Sequence, residues 1–388
     1  MWLSLLQLVN FRNLRRVSLE LESGLALVCG PNGQGKTNLL EAAYVLATTR
    51  SPRTSVEREL LSWQTAEDAA LAAVVPPFAR LEGRVQRAEG EVHLELTFEA
   101  ERPGPTEVMG GSLARGIKVN GLPTRAAGLI GQLPVVYFSP EDVALAGGPP
   151  AGRRQYLNVA NSQVSGAYLR ALQRYNRVLL QRNQVLRQVR DRRQPSAAVD
   201  PWTEQLIEYG AAVLLQRLQM LDALNERIAQ VYGELAGARE ALRIVYRSTA
   251  GDGSAACFRT YQQHVAAREV DQAATLVGPH RDDFSFDLDG IDLNTYGSRG
   301  QQRLAVLSLK LAEADWMRAE IGQSPVLLLD DVLSELDPAR RGYVVHRVGQ
   351  PGLNEQVWIT ATDLESFAPA LLWAGQRFEI DAGQVRPA

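Results

Sequence analysis

Eight residues near the start of the chain have the types and spacing to hold a phosphate chain. Gly30-Pro31-Asn32-Gly33-Gln34-Gly35-Lys36-Thr37 matches G-x-x-x-x-G-K-[ST] at every specified position. The glycines let backbone N–H groups curl around phosphate oxygens without Cβ clashes, Lys36 can reach the β and γ phosphates, and the Thr37 hydroxyl can ligate Mg²⁺. Asn38 follows as a further candidate contact. The flanks fit: Leu25-Ala26-Leu27-Val28-Cys29 reads as a buried strand, and Asn38 to Leu46 has helix composition. A Gly-rich turn that happens to precede a helix is the bland alternative.

A second site of chemistry lies far along the chain. Val326-Leu327-Leu328-Leu329 is an apolar run ending in Asp330-Asp331, the pattern of a buried parallel strand delivering carboxylates to its C-terminal edge. Asp330 is the candidate Mg²⁺ ligand, direct or through water. Asp331 is the candidate general base or polarising group toward an attacking water, and with Lys36 it makes up the catalytic pair. Ser334-Glu335-Leu336-Asp337-Pro338 follows. Upstream, Ser298-Arg299-Gly300-Gln301-Gln302 opens a predicted helix, where a hydroxyl and free N–H groups make an anion site. Taken alone, that turn is only a helix cap.

The elements that must position these residues can be read from periodicity. Residues 2–9 and 17–21 read as strands around Asn10 to Leu14. Strands over about 69–100 include a hairpin at Glu89-Gly90; Asn120-Gly121 and Asp289-Gly290 mark two more. The stretch 101–112, rich in Gly and Pro, is an expected loop, and Leu133 to Phe138 an expected buried strand. Residues 153–190 read as helix with Leu172, Leu179 and Leu186 at heptad spacing. After a polar break, 202–235 reads as helix with Leu206, Val213 and Met220 at the same spacing, so an antiparallel helical hairpin is expected. From Ser298 onward the order is helix, strand, helix, strand, as in an α/β sheet.

P-loop, small-residue turn opening a helix, apolar-Asp-Asp and Ser-x-Leu-Asp is the order of motifs in ABC-type ATPases, and Ser298 to Gln302 looks like a variant of their signature motif. The resemblance narrows through Asn10-Phe11-Arg12-Asn13-Leu14, Gly30 to Glu41, Pro140-Glu141-Asp142, Arg153 to Leu157, Gly278-Pro279-His280-Arg281-Asp282-Asp283, Ser298 to Arg303 and Leu327 to Asp337. Together these segments resemble the RecF family of bacterial recombination mediators. The resemblance implies an α/β fold: an SMC-like ABC ATPase head with a mixed sheet core, an antiparallel β lobe and a short α-helical insertion. It implies ATP and Mg²⁺ as cofactors and an ATP-dependent homodimer in which Ser298 to Gln302 act across the interface on the partner's nucleotide. It also implies duplex and gapped DNA as substrate, with RecO and RecR as partners in loading RecA at single-strand gaps. The expected parts are 1–148 and 276–388 for the head and 149–275 for the helical lobe. Asn158 stands where an aspartate is expected. Thr360-Ala361-Thr362-Asp363 replaces the switch histidine of transporter ATPases, with Thr362 or Asp363 as candidate γ-phosphate sensor. His280 to Asp283 reads as a corner of structural ion pairs near the nucleotide rather than a metal cluster. A DNA-binding scaffold with negligible turnover, or a transporter ATPase subunit, are the rival readings.

DNA contact can be argued independently. Between Ala151 and Arg193 the chain carries ten arginines against one acid, Asp191, in a chain whose net charge is -3. Arg170, Arg174 and Arg177 share a helical face, and with Arg182 and Arg187 they are the candidate phosphate contacts, suited to sequence-independent, salt-sensitive binding. The remaining features of the 388 residues exclude more than they assign. Cys29 and Cys257 stand far apart, and His93, His264, His280 and His346 form no ligand pair, so neither a disulfide framework nor a zinc site is expected and a reducing cytosol fits. Met1 to Asn10 lacks the basic n-region of a signal peptide, and no apolar run approaches membrane-spanning length.

Overall fold

The computed structural model describes residues 1–62, 77–100, 113–237, 240–334, 336–350, 354–362 and 375–388. The loop expected at 101–112, the start of the strand region at 69–76, Glu335 and Asp363 lie outside them. In chain order the strands are β1 (Trp2–Phe11), β2 (Leu14–Glu20), β3 (Gly24–Cys29), β4 (Phe78–Arg87), β5 (Gly90–Ala100), β6 (Leu113–Val119), β7 (Leu122–Pro123), β8 (Val135–Phe138), β9 (Leu242–Arg247), β10 (Asp283–Leu288), β11 (Ile291–Asp292), β12 (Val326–Leu329), β13 (Gln356–Ala361), β14 (Gly375–Asp381) and β15 (Gln384–Pro387). The longer helices are α1 (Lys36–Thr48), α2 (Pro150–Val164), α3 (Gly166–Arg190), α4 (Asp200–Ala236), α5 (Ala255–Gln272), α6 (Arg299–Ile321) and α7 (Pro338–Val348).

The chain forms two compact units. The first joins Met1–Glu141 to Met317–Ala388, and the second is Asp142–Trp316, so residues 276–316 share a unit with the helices of the expected lobe. In the first unit one sheet runs β2-β1-β4-β5-β6-β7, all antiparallel, and the other runs β15-β14-β3-β13-β12-β8. In the second sheet β14, β3, β13, β12 and β8 are parallel. The apolar runs of β3, β13, β12 and β8 are buried along their length, as parallel strands covered on both faces must be: Val326 to Leu329 are each at most 1% exposed. Helix α1 buries Leu39, Leu40, Ala42, Ala43, Val45, Leu46 and Ala47 in a core shared with both sheets. The order of the parallel strands decides the site. One strand, β13, separates the P-loop strand β3 from the acidic strand β12, and all three end at the same edge.

The second unit is the expected helical hairpin with additions. α3 and α4 pack together through Leu206, Val213, Tyr175 and Val178, with Leu172 and Leu179 partly buried against the same cluster. The helical region expected over 153–190 is broken at Ser165. Its backbone turns extended and its hydroxyl accepts from the Tyr168 N–H at 3.1 Å, capping α3, while Gly166 follows. A serine's side chain can replace a helical hydrogen bond at a start, and periodicity does not register that. A small sheet, β11-β10-β9, completes the unit. Among the described residues no helix is long and apolar enough to cross a membrane.

Candidate nucleotide site and basic face

The P-loop follows β3 and opens α1 at Lys36, with Gly35 in the N-cap position at φ 119°. Two glycines are required by what surrounds them. A Cβ at Gly30 would stand 2.2 Å from the Ile380 carbonyl oxygen, and one at Gly35 would stand 2.8 Å from the Asn13 amide. Asn13 itself holds the loop: its Nδ2 donates to the Gln34 carbonyl at 2.9 Å and its Oδ1 accepts from Asn38 Nδ2 at 2.8 Å. On the other side the Ala382 N–H donates to Gln34 Oε1. Lys36 is 7% exposed and folds back, donating to the Gly30 and Pro31 carbonyls at 2.5 and 3.0 Å. Burial lowers its pKa, while Asp331 and Asp330 nearby act in the opposite sense. The ammonium is therefore already poised over the loop, within the field of both acids.

Those acids arrive as the strand pattern requires. Asp330 is 3% exposed and its carboxylate accepts from the Thr360 hydroxyl at 2.7 Å and from the Thr37 hydroxyl. Burial pushes its pKa up, with Glu141 and Asp331 adding to the rise, and the two hydroxyl hydrogen bonds oppose them. Asp331 adopts a left-handed φ of 50°, an uncommon conformation for a residue with a side chain. Its N–H donates to Thr360 Oγ1 at 2.9 Å, and its Oδ1 is buried with no hydrogen-bond partner among the described residues. Asp331 thus combines an uncommon backbone conformation with a buried carboxylate oxygen that no described protein donor satisfies.

The donor set suits a hard cation held partly by a ligand. All the candidate donors are oxygens, and no group of three His, Cys, Asp or Glu among the described residues forms a cage. One hydroxyl and one carboxylate beside a phosphate cradle is the arrangement Mg²⁺ takes, because it keeps several waters and borrows phosphate oxygens. The Thr37 hydroxyl already donates its proton to Asp330, which leaves its lone pairs available to a metal.

Sequence reasoning missed the layer behind the loop. Glu41, fully buried on α1, accepts a two-bond pairing from Arg12 at 2.8 and 3.1 Å, and bonds from Ser51 at 2.5 Å and Arg53 at 3.3 Å. Arg53 also donates to Asn38 at 2.9 Å. The basic loop Arg50 to Thr54 is thus tied to α1 through Glu41 and Asn38. The signal that could have found it is the glutamate itself, an acid on the apolar stretch of a helix. Thr360 was missed because its significance depends on which strand lies beside β12. Thr362 ends just past β13.

Ser298 to Gln302 sit in the second unit, at the start of α6. Ser298 Oγ accepts from the Gln301 N–H at 3.2 Å and Gln301 Oε1 accepts from the Ser298 N–H at 3.0 Å, a reciprocal capping box. Ser298, Arg299 and Gly300 are exposed, and the N–H groups of Arg299 and Gly300 have no helical acceptor to use. Gln302 turns inward and donates to the Leu293 carbonyl at 2.8 Å.

The basic face needs a correction. Arg170, Arg174, Arg177 and Arg187 are exposed on α3, but Arg182 is 2% exposed and faces inward. It donates to Glu269 at 2.6 Å, Thr275 at 2.8 Å and Thr203 at 3.1 Å, so it is not a phosphate contact. The reason is the heptad: Arg182 stands among Tyr175, Val178 and Leu186 on the face that α3 buries. Arg174 lies over the Tyr209 ring at 5.6 Å, and Arg170, Arg177 and Arg187 have no carboxylate partner among the described residues. His280 to Asp283 make an internal corner of the second unit. Arg153 pairs with Asp283 at 2.6 and 2.8 Å, Asp282 accepts from Tyr246 and Thr249, and His280 Nδ1 meets the Tyr175 hydroxyl at 2.6 Å. Asn158 accepts from Arg217 at 2.8 Å and Tyr168 at 3.0 Å, work its amide oxygen does without a charge.

Similarity to known proteins agrees with this geometry. A family model described as RecF/RecN/SMC N terminal domain matches residues 2–372. The chain is 42% identical to the DNA replication and repair protein RecF of Chloroflexus aurantiacus over 396 residues, covering 99% of each. The chain belongs to the RecF family. The RecF of Herpetosiphon aurantiacus is likewise 42% identical, over the full length of both chains. Among solved structures, the recombination mediator RecF with ATP, from the RecFOR pathway, is 30% identical with a TM-score of 0.86, covering 100% of this RecF-family chain and 97% of that one. A Smc head domain from Pyrococcus furiosus, 13% identical with a TM-score of 0.54, shares the fold alone. The expected fold, an SMC-like ABC ATPase head with an α-helical lobe, is thereby shown.

Proposed function

We propose that this RecF-family protein is an ATP-gated DNA clamp of recombination and repair. The observation that carries the reading is a site with one side built. Loop, lysine, threonine and acids converge in the first unit, while Ser298 to Gly300 stand exposed at the start of α6 in the second unit with free N–H groups. An exposed helix start is suited to cap a phosphate on a second copy. ATP would occupy Gly30 to Asn38, with Lys36 moving from its carbonyls to the β and γ phosphates. Thr37 and Asp330 would hold Mg²⁺, which neutralises phosphate charge. Asp331, its Oδ1 unpartnered, would orient the attacking water. Two ATPs then join two copies, the dimer closes on duplex DNA beside a gap, and slow hydrolysis opens it. Cooperation with RecO and RecR in loading RecA, and a cytoplasmic setting, rest on family membership.

Binding to duplex and gapped DNA with and without ATP, across a salt series, tests this. Asp331→Asn is expected to accumulate an ATP-bound dimer on DNA, seen by light scattering and gel shift, and Lys36→Arg to abolish the ATP effect. DNA affinity and dimerisation indifferent to ATP in the wild-type protein and in both variants would refute the clamp.

A further inference from the structure

We infer that Thr360 is a positioning residue that sets both acids of the nucleotide site at once. The inference rests on the reading of Asp330 and Asp331 given above and names a residue that reading does not use.

β13 runs parallel between β3 and β12, with Leu329 opposite Ile359 and Val28 opposite Thr360. The residue that follows on β13 therefore faces the residue that follows on β12, which is Asp330. Thr360 is fully buried near the C-terminal end of β13, between the apolar Val357, Trp358 and Ile359 and the apolar Ala361; the strand's other polar residue, Gln356, lies at its opposite end. Packing alone would be served as well by valine, which has the same shape and no polar atom to satisfy. The hydroxyl instead directs both of its capacities to the neighbouring strand end. It donates to Asp330 Oδ1 at 2.7 Å and accepts from the Asp331 N–H at 2.9 Å.

Each bond has a distinct consequence. The first holds the Asp330 carboxylate together with the bond from Thr37, so its orientation toward a cation is set before the cation arrives. The second holds the peptide at which the chain turns into the left-handed conformation of Asp331 (φ 50°) and so aims the Asp331 side chain. A partner behind a metal ligand characteristically governs affinity or activity by about 10–100-fold, although it touches neither metal nor substrate. Thr360 does this for two residues through one oxygen.

The test compares Thr360→Val, which keeps volume and loses the hydroxyl, with Thr360→Ser, which keeps it. The readout is binding of a fluorescent ATP analogue titrated with Mg²⁺, alongside melting temperature. Thr360→Val is expected to bind the analogue as the wild type does without Mg²⁺, and to need about tenfold more Mg²⁺ for the metal-dependent gain in affinity. Thr360→Ser should restore the wild-type midpoint. Should Thr360→Val fail to fold, Thr360→Cys, with a weak donor of similar size, carries the same expectation. An unchanged Mg²⁺ midpoint in the hydroxyl-free variant, or equal loss in the serine variant, overturns the inference. A wild-type protein whose nucleotide binding ignores Mg²⁺ overturns the underlying site assignment instead, so the two failures are distinguishable.

Discussion

Replacing Arg182 with methionine is expected to loosen the helical unit while leaving DNA affinity nearly unchanged, the reverse of what a phosphate contact would do. Methionine keeps most of the stem and removes the charge. It strands Glu269, which is fully buried and, among the described residues, keeps the Gln262 amide and the Leu276 N–H at 2.7 Å as donors. It also leaves Thr275 and Thr203 without the guanidinium. Breaking a buried ion pair by removing one partner costs about 3–5 kcal/mol, and the donors that remain on Glu269 favour the lower end. For a unit of this size each kcal/mol is worth about 2–4 °C, so the melting transition should fall by about 10 °C. Circular dichroism melts provide the measurement, with a DNA-binding salt series on the same sample below the transition. Adding Glu269→Gln removes the stranded charge and should recover more than half of the loss. The reasoning is refuted if Arg182→Met melts with the wild type and loses DNA affinity as Arg177→Glu does, because the guanidinium would then face solvent.

Two further outcomes follow from the same unit. Reversing Arg170, Arg177 and Arg187 to Glu should leave the melting temperature in place and weaken duplex binding at low salt. The dependence of log affinity on log salt should become shallower by about 0.9 for each phosphate that is no longer neutralised; an unchanged slope would move the DNA surface elsewhere. Stability against pH should be nearly flat between about pH 4.5 and 6.5, because two buried groups oppose each other there. His280, lowered to about 4 by burial, is held neutral in the fold and makes stability fall as pH drops below 6.5. Glu313, raised to about 7 by burial, is held protonated and makes stability fall as pH rises above 4.5. Glu313→Gln should remove the second effect and expose a stability that rises with pH across that window; a variant as flat as the wild type there would show that neither His280 nor Glu313 has a shifted pKa in the fold.

The sequence by itself determined the parts whose chemistry is local. Gly30 to Thr37 must curl because its glycines allow it and its spacing demands it, and four apolar residues before Asp330 must be a buried strand. The hairpin turns at Gly90, Asn120-Gly121 and Asp289-Gly290, and the helical pair bearing Leu206 and Val213, were legible for the same reason: turn chemistry and periodicity act over a few residues. What the tertiary structure decided depends on neighbours that sequence separation hides. Thr360 matters only because β13 lies beside β12. Glu41 matters only because Arg12 and Arg53 reach it from either side. Arg182 shares its charge run with Arg177 and Arg187, and only its heptad position, beside Tyr175 and Leu186, separates them. The difference is a rotation about the helix axis, which turns Arg182 toward Glu269 and leaves the others in water. A buried charge is tolerated only where a distant residue supplies its partner, and which residue that is only the fold can say.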